Sequence, residues 1–199
     1  MGKKIRRLGI AVAGLMLGTC SVVSSEYMDL PGFSDKVEAG RTKNGVATVV
    51  AGILGQKIYD HAKIDITIKK AWFSDARVTG ESTQHGIDTY VPLWLTSAHF
   101  TAHNNEGRLE GAVSKSEFDW RVKQSSDDTY EIARWGPKFD SRVRLVIKDG
   151  KIEGNYVRDG PHFDWQIKGT YDKQGNIVCE IDGPLCLGIT LEGKINREK

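Results

Sequence analysis

The chain has 199 residues, 39% of them hydrophobic and 27% charged, with 28 basic against 26 acidic side chains and 3 cysteines. That length suits one domain with its own core. The small basic excess belongs to Lys3, Lys4, Arg6 and Arg7; without them acids outnumber bases by two. No Lys/Arg run is then left of the kind that grips nucleic acid, so that class of partner is excluded.

The first element in chain order is an export signal. MGKKIRRLGIAVAGLMLGTCS sets four cations ahead of the apolar run Leu8 to Leu17, then Gly18 and Thr19 before Cys20, the layout of a secretory signal peptide. The run is well short of the roughly 20 residues that a membrane-crossing helix needs. Leu17-Gly18-Thr19-Cys20 resembles the lipobox of bacterial lipoproteins, departing from it in Thr19, where Gly or Ala is usual. The resemblance implies loss of residues 1–19 and acylation of Cys20. Several acyl chains on one cysteine anchor firmly, at about 0.8 kcal/mol per buried methylene. Ser21 in place of Asp after that cysteine points to the outer membrane, facing the periplasm. The alternative is ordinary secretion into the periplasm or beyond, with Val23 and Ser25 marking the cleavage site and Cys20 discarded.

Residues 20–35, with Pro31 and Gly32, read as a tether, and residues 36–199 as a single β-rich domain. KNGVATVVAGILGQKIYDHAK carries Val46, Val49, Val50, Ile53, Leu54 and Ile58 at helical spacing, with Ala47, Ala51 and Gly55 as a small-residue stripe. The pattern predicts one amphipathic helix over about 44–62. A sheet with one apolar face needs a cover, so the helix is expected to lie across the sheet; the alternative is a membrane-surface or oligomerising segment.

From Lys63 onward the texture is β. Ile64, Ile66 and Ile68 alternate, as do Val143, Leu145 and Ile147, and turn signals such as His85-Gly86, Glu106-Gly107 and Asp149-Gly150 recur between short runs. This is an antiparallel up-and-down meander. It contains a repeat: HFTAHNNEGRLEG (99–111) aligns without a gap to RVRLVIKDGKIEG (142–154), and EFDWRVK then corresponds to HFDWQIKG. Phe118, Trp120 and Val122 share one strand face, as do Phe163, Trp165 and Ile167, while Asp119 and Asp164 point the other way. The repeated aromatics are therefore expected in the core. Arg142 and Arg144 are expected on the solvated side of their strand. Eight to ten strands in this order curl to avoid exposed edges, giving a barrel or strongly curved sheet with the helix packed on it; a two-sheet sandwich is the alternative.

Chemistry is sparsely signalled. Asp182-Gly183 is a hairpin turn signal that would set Cys179 opposite Cys186, at a separation a disulfide accepts, and export favours such a bridge; two buried thiols are the alternative. His99 and His103 lie on one strand face roughly 13 Å apart, too far to share a metal. No nucleophile elbow, zincin motif or P-loop occurs. No catalytic residue, metal or cofactor is assigned, and Asp119 with Asp164 is the one pair of carboxylates that a hydrolase could use. Aromatic side chains are abundant, and Trp72, Tyr90, Trp94 and Phe100 are the candidates for lining an apolar, lipid-like ligand. The sequence thus points to a non-enzymatic, membrane-tethered envelope lipoprotein that binds an apolar ligand or an envelope partner. A structural or assembly lipoprotein docked on another envelope protein is the alternative.

Overall fold

The computed structural model describes residues 33–69, 75–92, 97–114, 120–134, 141–158, 165–182 and 188–198. Cys20, Trp72, Trp94, Phe118, Asp119, His162, Phe163, Asp164 and Cys186 lie outside them. One helix, α1 (Phe33–Ile58), is followed by strands β1 (His61–Lys69), β2 (Ala76–Thr83), β3 (Gly86–Val91), β4 (Ala98–Asn105), β5 (Arg108–Ser114) and β6 (Trp120–Ser126). There follow β7 (Thr129–Arg134), β8 (Ser141–Lys148), β9 (Lys151–Arg158), β10 (Trp165–Tyr171), β11 (Asn176–Asp182), β12 (Ile189–Lys194) and the two-residue β13 (Asn196–Arg197).

Each strand is antiparallel to its neighbour in sequence, and β1 pairs with β12 through Ile66–Gly193 to Lys69–Thr190, so the sheet closes into a twelve-stranded barrel. Beyond Lys194, the last residue of β12, the chain passes through the buried Ile195, whose N–H donates to Gly175 O at 2.8 Å, and β13 then adds to the start of β1. Closure removes the free edges that an open meander would expose. The strand number exceeds the eight to ten expected. One hairpin that carries no glycine signal, β6–β7, turns on Asp127 and Asp128 beside a register shift at Gln124/Ser126.

The repeat is structural. β4–β5–β6 and β8–β9–β10 are its two copies, joined by β7. Equivalent turns have equivalent backbones: φ is 50° at Glu106 and 81° at Gly107, against 50° at Asp149 and 77° at Gly150. Positive φ at both central positions is the type I′ geometry that matches strand twist. Trp120 and Val122, like Trp165 and Ile167, are buried, as the shared-face pattern requires.

The helix packs on the barrel as expected and departs from expectation in extent. It starts at Phe33 and ends at Ile58, and residues assigned to its end, Ala62 among them, belong to β1. The face of the sheet on which it packs is the inner one. Every residue from Thr42 to Gly55 is buried, about four turns with no solvent-facing side. Its neighbours are the inward side chains of the strands: a methyl on Gly52 would meet Ile87 and Phe100, one on Gly55 would meet Ser82 and Ile64, and one on Gly45 would meet Val113. All five are buried, whereas the alternate strand positions, such as His61, Lys63 and Asp65, are exposed. The helix therefore runs inside the barrel, packed chiefly on β1 to β4.

Polar contacts fix it there. Thr89 Oγ1 donates to Thr48 O at 3.0 Å, Gln56 Nε2 to Thr83 O at 2.7 Å, and Lys57 Nζ to Asp128 Oδ1 at 2.8 Å and to Asp127 O at 3.1 Å. Lys57 stands in the last helical turn, where a cation opposes the helix dipole favourably.

The hairpin proposed for the two cysteines is overturned. In β11–β12, Cys179 stands opposite Leu191 and is a free, buried thiol. Six residues, 183–188, separate the strands, so the register is set by a longer connection than Asp182-Gly183 suggested. Burial, reinforced by the charge of Glu180, pushes the Cys179 thiol up to about 12, leaving almost no thiolate at neutral pH.

Two measurements check this packing. Gly52→Ala would set its Cβ 2.4 Å from Ile87 Cγ2; overpacking at about 1–3 kcal/mol outweighs about 1 kcal/mol of helix propensity, so a lower urea midpoint is expected. Gly45→Ala, whose nearest neighbour is Val113 at 3.4 Å, is expected to hold or raise it. Mass-spectrometric mapping of iodoacetamide at pH 8 is expected to find Cys179 unmodified in the native protein and alkylated in urea; ready alkylation of the native thiol would contradict its burial.

Candidate functional site

The two ends of the barrel differ. Four of the connections at one end are two-residue turns, at 84–85, 106–107, 127–128 and 149–150, while those at the other end span five or six residues. Helix α1 enters at the long-connection end, with Lys43 beside Trp165 at the start of β10. It finishes at the tight-turn end, with Lys57 on the β6–β7 turn.

Inside the mouth at the long-connection end, the repeat concentrates aromatic surface. Tyr156 of β9 stacks on Trp165 with centroids 4.4 Å apart, and Trp120 lies 6.3 Å from Tyr156. Lys43 Nζ sits 4.9 Å from the centroid of the Trp165 ring, a cation–π distance. Lys43 is fully buried, and burial lowers its pKa to about 8 while Asp182 pulls the other way. Trp165 Nε1 is a buried donor with no hydrogen-bond acceptor among the described residues.

Of the four residues expected to line an apolar ligand, the two that are described, Phe100 and Tyr90, face opposite sides of the wall. Phe100 is fully buried against the helix. Tyr90 faces the other way, half-buried on the outer wall, with its ring edge-on to His99 at 5.9 Å. Trp72 and Trp94 lie outside the described residues. With α1 in the lumen and the inward side chains of all twelve barrel strands buried around it, the space in which such a ligand would lie is occupied along the described wall.

The outer wall is charged, and in places ordered. Asp65 and Arg77 form a two-pronged ion pair between β1 and β2, Lys69 reaches Glu192 at 2.6 Å across the closing seam, and His99 reaches Asp88 at 2.8 Å. A lipid-facing barrel carries an apolar band outside; here the outward positions are charged or polar on most strands. At the tight-turn end, His61, Glu81 and Glu198 bring their ligand atoms within 4.8 Å of one another at the surface. His61 Nε2 already meets Glu198 at 2.8 Å, and Lys63 stands opposite Glu81. This cluster was invisible in the sequence because the pairing of β13 with β1 delivers Glu198.

One concavity stands out on the wall. Over β5 to β8 a hollow of about 730 Å³ is lined by Glu110, Arg121, Lys123, Glu131, Arg142 and Arg144. Its floor is the outer side of the backbone at Gly111, Val122, Ile132 and Val143. Arg142 and Arg144 are solvated, as their strand pattern predicts. Their convergence with Arg121 and Lys123 is the part that sequence spacing did not reveal. A second hollow of about 530 Å³ over β8 to β10 shares Arg144 and adds Lys168.

Comparisons with protein-family models, with curated proteins and with solved structures give no match.

The state of Lys43 has a measurable signature. In the unfolded chain the amine stays protonated up to its ordinary pKa of 10.5, whereas in the folded barrel it loses its proton near 8. Between these values the unfolded state binds more protons, so stability rises with pH across the window. A shift of this size corresponds to roughly 3–4 kcal/mol. Urea midpoints of wild type and Lys43→Met, compared from pH 7 to 10.5, are expected to show the wild type gaining on the variant as pH rises; parallel profiles would place the ammonium in water.

Proposed function

We propose that the chain is a non-enzymatic, lipid-anchored protein of the bacterial cell envelope that binds a partner there through the outer wall of its barrel. The observation that carries this reading is the helix in the lumen. A barrel that carries an apolar molecule keeps its interior for the ligand, and this interior holds α1, buried along about four turns. Among the described residues, the charged wall and its hollows offer the broadest surface for recognition. The anchor rests on the lipobox-like Leu17-Gly18-Thr19-Cys20, and the partner-binding role on the wall.

A second reading keeps the apolar ligand but moves it to the mouth, where Trp120, Tyr156 and Trp165 gather and Trp165 Nε1 has no acceptor among the described residues. Native mass spectrometry of the purified protein separates the two: a mass equal to that of the chain with its anchor supports the wall, and a stoichiometric lipid adduct supports the mouth. Fractionation tests the anchor. Wild type is expected in the membrane pellet and Cys20→Ser in the soluble extract; a wild-type chain that is soluble without its signal would exclude acylation.

A further inference from the structure

We infer that the hollow over β5 to β8 is a binding site for a phosphate monoester, a site that depends on neither the anchor nor the identity of an envelope partner. Two outward rows of side chains border it. In one, Glu110, Lys123, Glu131 and Arg144 are successive cross-strand partners; in the other, Ala112, Arg121, Ala133 and Arg142 are. Lys123 and Arg144 flank Glu131, and Arg121 and Arg142 flank Ala133. Strand spacing and rise place these four cations at the corners of a patch about 10 Å across the strands and about 7 Å along them.

Charge selects the ligand. Four cations against Glu110 and Glu131 leave an excess of two positive charges around one hollow. Lys123 is engaged by Glu110 at 3.4 Å. No ion pair among the described residues holds Arg121, Arg142 or Arg144, and all three are exposed. Three guanidinium groups that stay charged at any physiological pH, each a planar fork of donors, suit the oxygens of a phosphate. A phosphate monoester carries about −1.5 to −2 at neutral pH and so balances the excess with one group, where a carboxylate would leave half of it. The small Ala133 keeps the centre of the second row low, so a group seated there can be reached from both sides.

Such a group can arrive free in solution or on a lipid headgroup, and one experiment with two arms distinguishes the sources. The protein is the full chain carrying Cys20→Ser, so that no acyl chain contributes. Glycerol 3-phosphate, a soluble monoester, is titrated by calorimetry at low salt, and vesicles of phosphatidylcholine, with or without about one fifth phosphatidic acid, are used for flotation. Saturable glycerol 3-phosphate binding assigns the hollow to a soluble phosphate; flotation with phosphatidic acid alone assigns it to a headgroup. In the arm that binds, Arg121→Gln with Arg144→Gln is expected to weaken affinity by at least about tenfold, since a charge-assisted hydrogen bond is lost at each. Glu131→Gln removes the anion between Lys123 and Arg144 and is expected to strengthen binding. Lys151→Gln with Lys173→Gln, an equal loss of charge at the tight-turn end, is expected to change it less than twofold. Near-ultraviolet circular dichroism of the stacked Tyr156 and Trp165 checks that every variant is folded. Binding in neither arm, equal weakening by the two double variants, or weaker binding by Glu131→Gln would overturn the assignment.

Discussion

A closed barrel of twelve strands encloses more space than its own side chains can fill. Barrel diameter grows with strand number, and about eight strands already give an interior that side chains just occupy. Four more strands leave a lumen, and an unfilled lumen forfeits the dispersion contacts of every residue lining it. Helix α1, roughly 10 Å wide with its side chains, supplies the missing matter. Most of the architecture follows from that requirement. Gly52 and Gly55 let the helix approach Ile87, Phe100, Ser82 and Ile64, and Thr48, Gln56 and Lys57 tie its backbone and its end to the wall.

The same requirement explains why polar side chains lie so deep. A helix that is surrounded on all sides is ordinarily apolar throughout, yet α1 buries Thr42, Lys43, Asn44 and Thr48. Thr48 is satisfied locally, donating to Gly45 O at 2.7 Å. Lys43 faces the aromatic surface that the duplicated motif supplies through Trp165 and Tyr156. The repeat thus furnishes both wall and plug contact: its turns give two like hairpins, and its tryptophans converge on the mouth through which the helix enters.

Much of this was legible in the residues. Alternation identified the inward faces of β1 and β8, and the aligned 99–111 and 142–154 segments identified the duplicated hairpins and the positions of their turns. That the helix packs on the barrel was legible; that it packs on the inner side was not, because its apolar stripe is compatible with one-sided packing and only the strand count shows that it must be enclosed. That count was itself short, since Asp127-Asp128 makes a tight turn without glycine. The cysteine pairing failed for a related reason. Asp182-Gly183 resembles a turn centre, but register follows the inward row Ile177, Cys179 and Ile181, and that row sets Cys179 against Leu191. The cationic hollow depends on lateral neighbours from β5 to β8, which spacing along one strand cannot disclose; Arg142 and Arg144 were placed on the correct side, and their company was missed.

The path of the chain has a bearing on assembly. Helix α1 passes directly into β1 through Tyr59 and Asp60, while the seam that seals the wall joins β1 to β12, near the opposite end of the chain. A helix fixed to the first stave of the wall has no route by which to thread a finished cylinder. The sheet must instead wrap around it, strand by strand, with the last hydrogen bonds forming between the segments most distant in sequence. Such long-range closure is slow, and until it is complete the apolar side of the helix and of each new strand stays open to water. Chain order therefore makes the plug the template on which the wall is wound.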